Sequence, residues 1–256
     1  MFAWFLAFFV FPNFAFTFAF DKMQLRVVGG NDASIEDFPY QASLRSSNRY
    51  LCGGSIISNY CILTAAHCVY GGPIDNFTVV VGTSQLTEGG QVYDVGQTFY
   101  HTDYISKSLI NDIAVLLVTS PITFGPSVQP ISLSSTNPPT GVSLVLTGWG
   151  LTSFPGTASD MLQEITLTSF DLATCAQKLK RLNPVTVGNV CTISPVDHGS
   201  CQGDSGGPLV EKVNGVYSQV GIVSWGLPCA KGLPDVFTSV AYYRDWILHW
   251  ITLDIN

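Results

Sequence analysis

Three residue types that together can activate a hydroxyl group occur in separate short motifs of the sequence. Ser205 lies in GDSGG, His67 follows TAA, and Asp112 lies in NDIA. A serine hydroxyl is a weak nucleophile near neutral pH and needs a neighbouring base, most often a histidine held in place by a carboxylate. The pattern indicates nucleophilic chemistry at Ser205, with His67 as the base and Asp112 as the acid that orients it.

The order of these motifs along the chain separates two ways of building such a site. GDSGG also fits G-x-S-x-G, the elbow of α/β-hydrolases, in which the acid and then the histidine follow the serine. After Ser205 the chain has only His249, within an aromatic, helix-like segment, and Pro208 and a β-rich run follow the motif itself. The order His67, Asp112, Ser205 therefore disfavours an α/β-hydrolase esterase, which stays as a minor alternative.

Short β-rich runs alternate with glycine and proline turns through most of the chain. This pattern is typical of an all-β sandwich or barrel. A segment rich in Pro, Ser and Thr, 119–141, separates two series of strand-like runs and has the composition of a connection between two halves. The apolar residues of 240–253 fall at helical spacing and predict a C-terminal helix packed against the body.

The composition excludes several classes of partner. Hydrophobic residues make up 46% of the 256 residues and charged residues 11%, as in a packed globular protein. The net charge is −7. An acidic protein is a poor ligand for nucleic acids or anionic membranes, so we expect neither as a partner.

The first 20 residues carry no charge and are crowded with phenylalanine. They predict a secretory signal peptide, although no basic residue precedes the apolar run. A signal anchor is the alternative, because about 20 apolar residues can span a bilayer. Pro12 and Asn13 interrupt the run and small residues lie near its end, which favours cleavage and a secreted, extracellular protein.

Five motifs occur together in one order: TAAHC, NDIAVL, GWG, GDSGGPL and SWG. They resemble the trypsin/chymotrypsin family of serine proteases, and the match runs from Val27 to the C-terminal helix. The resemblance implies an all-β fold of two antiparallel six-stranded Greek-key β-barrels with the active site between them and a C-terminal α-helix. The first barrel would cover about 27–125, and the second barrel with the helix about 126–256.

The resemblance also assigns catalytic roles. His67 would take the Ser205 hydroxyl proton and return it to the leaving amine, while Asp112 would hold the imidazole in the right tautomer. The backbone N–H groups of Gly203 and Ser205 would form the oxyanion hole. Ser224 would support the aspartate, as in the family.

The resemblance further implies how the enzyme binds its substrate and how the enzyme is activated. The backbone of Ser224, Trp225 and Gly226 would pair with substrate in β fashion. Residues 21–26 would form a short propeptide, and cleavage after Arg26 would free the ammonium of Val27 to pair with Asp204. We therefore expect a zymogen activated by a trypsin-like protease.

The sequence has seven cysteines and no C-x2-C pair, which favours disulfides over zinc in a secreted chain. The spacing alone leaves the connectivity open. The family resemblance implies three bridges, Cys52–Cys68, Cys175–Cys191 and Cys201–Cys229. Cys61 is left over and is predicted to be a buried, inert free thiol, with an intermolecular bridge as the alternative.

Two further sequence features bear on glycosylation and on metal binding. Asn76 begins the sequon Asn-Phe-Thr and is a candidate N-glycosylation site. The segment TSQLTEGG stands where the family has its calcium loop and offers only Glu88 as a carboxylate, whereas calcium needs several oxygen ligands. We expect no metal site and no cofactor.

The residues implied for the S1 pocket depart from trypsin. Gly199 stands six residues before the nucleophile, where trypsin has an aspartate, with Ser200 beside it, and Gly226 leaves the pocket wall open. Asp235 stands where the family usually has glycine. The combination resembles the broad-specificity, brachyurin-like collagenolytic proteases of crabs. Asp235 would then meet Lys or Arg while the space at Gly199 admits Tyr, Phe and Leu. Alternatively, Asp235 turns outward or binds backbone, which leaves chymotrypsin-like specificity.

The predicted function is therefore a secreted serine endopeptidase that works through an acyl-enzyme. Its expected partners are polypeptide substrates, the activating protease and protein protease inhibitors, and a monomer is expected. A catalytically inactive homologue that acts as a binding or regulatory protein is the alternative from another class. That alternative is disfavoured because His67, Asp112 and Ser205 are all present.

Overall fold

The computed structural model describes residues 30–151, 156–195, 199–200, 203–227 and 232–253. The predicted signal peptide and propeptide lie outside these residues. The chain forms two closed six-stranded antiparallel β-barrels and a C-terminal helix, which confirms the fold expected from the sequence.

The first barrel closes in the strand order β2-β3-β4-β7-β6-β5. Its strands are β2 (Gln41–Ser46), β3 (Arg49–Ile56), β4 (Cys61–Thr64), β5 (Phe77–Val81), β6 (Gln91–Tyr100) and β7 (Ala114–Val118). Ser47 and Asn48 join β2 to β3, both with positive φ (49° and 62°), as a two-residue type I′ turn requires. Buried aliphatic side chains fill the interior.

The second barrel is a ring of six strands that the pairing of β9 with β10 closes. The ring order is β9 (Ser143–Gly148), β10 (Gln163–Phe170), β11 (Asn189–Ile193), β14 (Asp235–Ser239), β13 (Val216–Trp225) and β12 (Pro208–Val213). Two short strands attach outside the ring: β1 (Asn31–Asp32) pairs with β10, and β8 (Ser132–Leu133) with β13. β1 thereby fastens the described N-terminus to the second barrel.

The described residues include two α-helices, which lie outside the barrels. The Asp171 carboxylate caps α1 (Leu172–Leu179) by accepting the Thr174 N–H at 2.8 Å, and a disulfide from Cys175 ties α1 to β11. α2 (Arg244–Leu253) packs against the first barrel, where Trp250 stacks on Phe99 with ring centroids 3.8 Å apart. Neither of these helices in the described part of the chain has the length and apolar character that a membrane crossing requires.

Buried hydrogen bonds join the two barrels. Gln41 on β2 accepts from Thr147 on β9 at 2.6 Å, and Ser55 on β3 donates to Gln219 on β13 at 2.7 Å. Polar side chains buried at such a joint are stable only when they are paired, so they fix the relative position of the barrels. These hydrogen bonds therefore help to set the distance between side chains of the first barrel and side chains of the second.

Candidate active site

The first barrel holds His67 at the end of β4. His67 lies in a 3-10 helix, Ala66–Cys68, that begins two residues after β4. The disulfide Cys52–Cys68 ties this helix to β3, which confirms that predicted bridge. The position of His67 is therefore fixed on both sides by covalent or strand structure.

Asp112 orients the His67 ring. Its Oδ2 lies 2.8 Å from His67 Nδ1, and its Oδ1 accepts the backbone N–H of His67 at 2.9 Å. Asp112 is buried, with 1% of its surface exposed. When Nδ1 carries the proton and donates it to the carboxylate, Nε2 is left as the basic nitrogen, which is the tautomer a general base needs.

The second barrel completes the environment of Asp112. The Ser224 hydroxyl donates to Asp112 Oδ2 at 2.6 Å, and the Thr238 hydroxyl donates to the Asp112 carbonyl oxygen at 2.7 Å. Ser224 lies in a β-bulge of β13, because Val223 pairs with Phe237 while Trp225 pairs with the next residue, Val236. A bulge of this kind re-aims a side chain, here from the second barrel toward the carboxylate.

A second pair of hydrogen bonds holds the residue before Asp112. Asn111 has a positive φ of 56°, accepts from the Tyr243 hydroxyl at 2.6 Å and donates to the Asp103 carbonyl at 2.7 Å. Sequence reasoning missed this support. Its one signal is the asparagine itself, the residue type that most readily adopts left-handed backbone among those with a side chain.

Backbone hydrogen bonds hold Ser205 and its neighbour Gly206 at the interface between the two barrels. The Ser205 carbonyl oxygen accepts from the Gly53 N–H on β3 at 2.8 Å, and the Gly206 N–H donates to Val223 on β13 at 2.9 Å. Gly206 has φ +76°, and a Cβ there would collide with the Thr64 hydroxyl. Within the described residues no hydrogen bond links the Ser205 hydroxyl to the His67 ring, a bond that in substrate-free sites is often long and tightens on binding.

Gly203, two residues before Ser205, adopts a conformation that suits glycine. Its φ is +97°, and an added Cβ would lie 3.1 Å from the Gly150 Cα. The Tyr50 hydroxyl on β3 donates to the Gly203 carbonyl oxygen at 2.5 Å. Burial, and then the negative charge of Asp204, raises the pKa of Tyr50, so this phenol remains a hydrogen-bond donor.

Asp204 is buried against the loop that follows β9. Its Oδ1 accepts the Gly150 N–H at 2.9 Å. A Cβ on Gly148 or Gly150 would collide with the Asp204 carboxylate, so the two glycines of the GWG motif make room for it. The predicted partner of this carboxylate, Val27, lies outside the described residues.

Asp235 lies at the start of β14 with 6% of its surface exposed. Its Oδ2 accepts the Ser200 N–H at 3.1 Å, and a Cβ on Gly226 would lie 2.5 Å from its Oδ1. The carboxylate thus binds backbone and also faces Gly226, which combines features of both sequence alternatives. Burial raises the pKa of Asp235 to about 6, although hydrogen bonds from Ser200 act in the opposite direction.

The other predicted residues are placed as follows. The disulfide Cys175–Cys191 is present, which confirms that bridge, whereas Cys201 and Cys229 lie outside the described residues. Cys61 is buried in β4 beneath α2. Asn76 is exposed at the end of a 3-10 helix, Ile74–Asn76.

The arrangement suits acyl transfer. A histidine oriented by a buried carboxylate, an anchored serine and a loop with glycine at 203 lie where the barrels join, and the backbone of Gly226 lies close to the buried carboxylate of Asp235. None of these groups requires a metal to act. The chemistry therefore belongs to the side chains and backbone of this chain.

Comparison with known proteins finds one matching family model and several related proteases. A family model described as Trypsin matches residues 27–247. Chymotrypsin-2 of Vespa crabro is 43% identical over 222 residues, which span 86% of this chain and 98% of that protein. Trypsin iota of Drosophila melanogaster is 40% identical over 226 residues, 87% of each chain. The vitellin-degrading protease of Bombyx mori is 37% identical over 232 residues, 89% of this chain and 86% of its own length.

Proposed function

Because the chain belongs to the trypsin family of serine endopeptidases, we propose that it is secreted as a zymogen and cleaves polypeptides after both apolar and basic P1 residues. The hydrogen-bonded chain Ser224–Asp112–His67 supports the chemistry most directly. It leaves His67 with one basic nitrogen beside the joint that anchors Ser205.

The reaction follows from these groups. The Ser205 Oγ attacks the scissile carbonyl carbon while its proton passes to His67 Nε2. The developing oxyanion binds the Gly203 and Ser205 N–H groups, and the intermediate collapses as His67 gives the proton to the leaving amine. Water then repeats the sequence: it loses a proton to His67 and attacks the acyl carbon, the bond from that carbon to the Ser205 Oγ breaks, and His67 returns the proton to Oγ as the acid product leaves.

Labelling of the nucleophile tests the catalytic proposal. A fluorophosphonate should label the chain after cleavage at Arg26 and should not label the Ser205→Ala variant. Hydrolysis of peptide anilides should appear with the label. Absence of both from the cleaved, folded protein would favour a non-catalytic homologue.

Activation is proposed to proceed by removal of residues 1–20 as a signal peptide and of residues 21–26 as a propeptide. The Val27 ammonium would then pair with the buried Asp204 carboxylate, which also accepts the Gly150 N–H. Arg26→Gln should yield a secreted protein without activity, whereas Arg26→Lys should still be activated by trypsin. Full activity of Arg26→Gln would refute the proposal that the protein is a zymogen activated by cleavage after Arg26.

The P1 preference is proposed to be broad because Asp235 lies behind Gly226 while Gly199 contributes no side chain to the pocket. An ionised Asp235 would balance a Lys or Arg side chain, and the absence of other bulk would admit Phe, Tyr or Leu. Asp235→Asn should strongly reduce cleavage after Lys and Arg and spare cleavage after Phe. Unchanged cleavage after basic residues would exclude Asp235 from specificity.

Asn76 is proposed to carry an N-linked glycan, because its side chain is exposed. The protein secreted from insect cells should lose mass on treatment with an N-glycosidase, and Asn76→Gln should abolish that shift. We also propose that the protein is a monomer and that it binds protein protease inhibitors.

A further inference from the structure

Thr192 on β11 has a buried hydroxyl that makes no hydrogen bond within the described residues. The residue is 1% exposed, and the atom without a partner there is its Oγ1. A buried hydroxyl without a partner costs folding free energy, so its presence calls for a role outside the packing of the barrel.

The register of the second barrel brings Thr192 next to Asp235. The two residues lie directly opposite each other on β11 and β14. Directly opposed residues of an antiparallel pair project to the same face with Cβ atoms about 4.5–5.5 Å apart. The hydroxyl and the carboxylate therefore share one face.

That face is the interior of the second barrel. Val190 and Phe237, two positions further along the same strands, point the same way and are part of its apolar core, whereas Cys191 and Val236 on the opposite face pack in the cluster with α1. Thr192 and Asp235 are thus the polar end of an otherwise apolar interior. This end lies beneath Gly226, the proposed wall of the S1 pocket.

The Asp235 carboxylate is already partly occupied. Its Oδ2 accepts the Ser200 N–H, the Ser200 side chain also hydrogen-bonds to the carboxylate, and Oδ1 lies next to Gly226. A lysine ammonium that enters past Gly226 would bring three N–H donors to this carboxylate. Charge balance by Asp235 alone would leave donors of the ammonium unsatisfied, and a second acceptor on the same face would bind one of them.

We propose that Thr192 is a specificity-determining residue of the S1 pocket, whose hydroxyl accepts a hydrogen bond from the ammonium of a P1 lysine while Asp235 balances its charge. The same hydroxyl proton remains available to donate to the carboxylate. An apolar P1 side chain makes neither bond. The inference rests on the proposed function, since it assumes that Asp235 faces bound substrate.

The test compares hydroxyl-free and hydroxyl-bearing replacements at this one position. Thr192→Val keeps the branched shape and removes the hydroxyl, Thr192→Ala is a second hydroxyl-free variant, and Thr192→Ser retains the hydroxyl as the control. Each activated enzyme is assayed on two peptide anilides that differ only in P1, Lys or Phe. The measured quantity is the ratio of kcat/KM for Lys to that for Phe.

Thr192→Val and Thr192→Ala should lower the Lys/Phe ratio about tenfold, because a hydrogen bond to a charged group is lost. Thr192→Ser should keep the ratio within about twofold of wild type, as the acceptor is retained. Cleavage after Phe should persist in all three and thereby report correct folding. A merely structural threonine would shift both substrates together and leave the ratio unchanged, which would overturn the inference.

Asp235→Asn separates the failure of this inference from failure of the proposed function. If Asp235→Asn lowers the ratio and both hydroxyl-free variants do not, Thr192 has no role in specificity while Asp235 retains one. If Asp235→Asn also leaves the ratio unchanged, both proposals for the pocket are refuted. If cleaved wild-type enzyme hydrolyses neither substrate and is not labelled at Ser205, the proteolytic function is refuted and the inference with it.

Discussion

The hydroxyl of Tyr50 on β3 of the first barrel holds the carbonyl oxygen of Gly203 beside the second. The peptide that follows this carbonyl leads directly into Asp204 and Ser205. Tyr50 also packs edge-on against Trp149, with ring centroids 6.2 Å apart, so its phenol has little freedom to move. One side chain of the first barrel thereby fixes the loop whose N–H groups are proposed to bind the oxyanion.

Tyr50→Phe should lower kcat about tenfold and change KM little. The loop loses the bond that orients its donors, and about 1.4 kcal/mol of lost transition-state stabilisation corresponds to that factor. Steady-state kinetics on a P1 Phe anilide measure the effect. Tyr93→Phe is the matched control, because its hydroxyl bonds to Gln91 and Thr123 elsewhere in the first barrel. Equal effects of the two substitutions would assign the loss to general stability.

Ser224→Ala should lower kcat by about ten- to a hundredfold, because the buried Asp112 carboxylate loses a charge-assisted hydrogen bond worth about 1.5–3 kcal/mol. The substitution should leave labelling of Ser205 detectable but slow. Labelling rates with a fluorophosphonate provide the measurement. Ser218→Ala, on the same strand and less buried, is expected to behave as wild type.

Gly150→Ala should greatly impair activity, since the new Cβ would lie 2.5 Å from the Asp204 carboxylate carbon and both oxygens. Displacement of that carboxylate disturbs the loop of Gly203 and Ser205, and overpacking of this kind costs about 1–3 kcal/mol of stability. Activity and urea unfolding of the variant would be compared. Gly125→Ala is the control, because nothing lies within 4 Å of a Cβ at that position. Normal activity of Gly150→Ala would show that the loop tolerates movement of Asp204.

Cleavage after lysine should depend on pH more steeply than cleavage after phenylalanine. The pKa of Asp235 is raised to about 6 by burial, so its carboxylate gains charge as the pH rises toward that value. The Lys/Phe ratio of kcat/KM should rise with pH and reach a plateau above about pH 7, while steps common to both substrates cancel. A ratio that is flat from pH 5 to 8 would contradict a carboxylate in the pocket, and Asp235→Asn should give that flat profile.

The same raised pKa has a consequence for stability. The carboxyl of Asp235 moves from an ordinary value of 3.8 to about 6 on folding, so the folded state disfavours its ionised form. The penalty is absent below about pH 4, grows between pH 4 and 6 and is complete above it, where 1.36 kcal/mol per unit gives about 3 kcal/mol. Asp235→Asn should therefore be more stable than wild type at pH 7 and equal to it at pH 3.5.

Urea unfolding in a Ser205→Ala background measures that difference without autolysis. Asp94→Asn, an exposed change of the same kind on β6, supplies the control for the loss of a carboxylate. A difference between Asp235→Asn and wild type that stays constant from pH 3.5 to 7 would show that the carboxyl titrates normally.

The sequence predicts the parts of the site that lie within single motifs. His67, Asp112 and Ser205 could be identified because each has characteristic neighbours and the three occur in one order. The alternation of short strands and turns indicated an all-β fold, and helical spacing located the C-terminal helix. Two disulfides followed from the family resemblance.

Contacts between distant segments could not be predicted in this way. Tyr50 and Gly203 are 153 residues apart, and nothing near Tyr50 in the sequence marks it as a donor to that loop. Thr192 meets Asp235 only through the register of β11 and β14. The orientation of the Asp235 side chain could not be predicted from the sequence, because the burial of a carboxylate depends on a donor such as the Ser200 N–H. These relationships arise from docking and register rather than from local pattern.

The hydrogen bond from the Gly53 N–H to the Ser205 carbonyl joins two backbones, and a Cβ on Gly53 would lie 2.9 Å from the Gly207 Cα. The proposed base is supplied by one half of the molecule and the proposed nucleophile by the other, so neither half contains both. Proteolytic activity would therefore require the two barrels to be docked. A chain that has folded only one half, or has folded both without bringing them together, would be inactive and harmless to the cell that makes it.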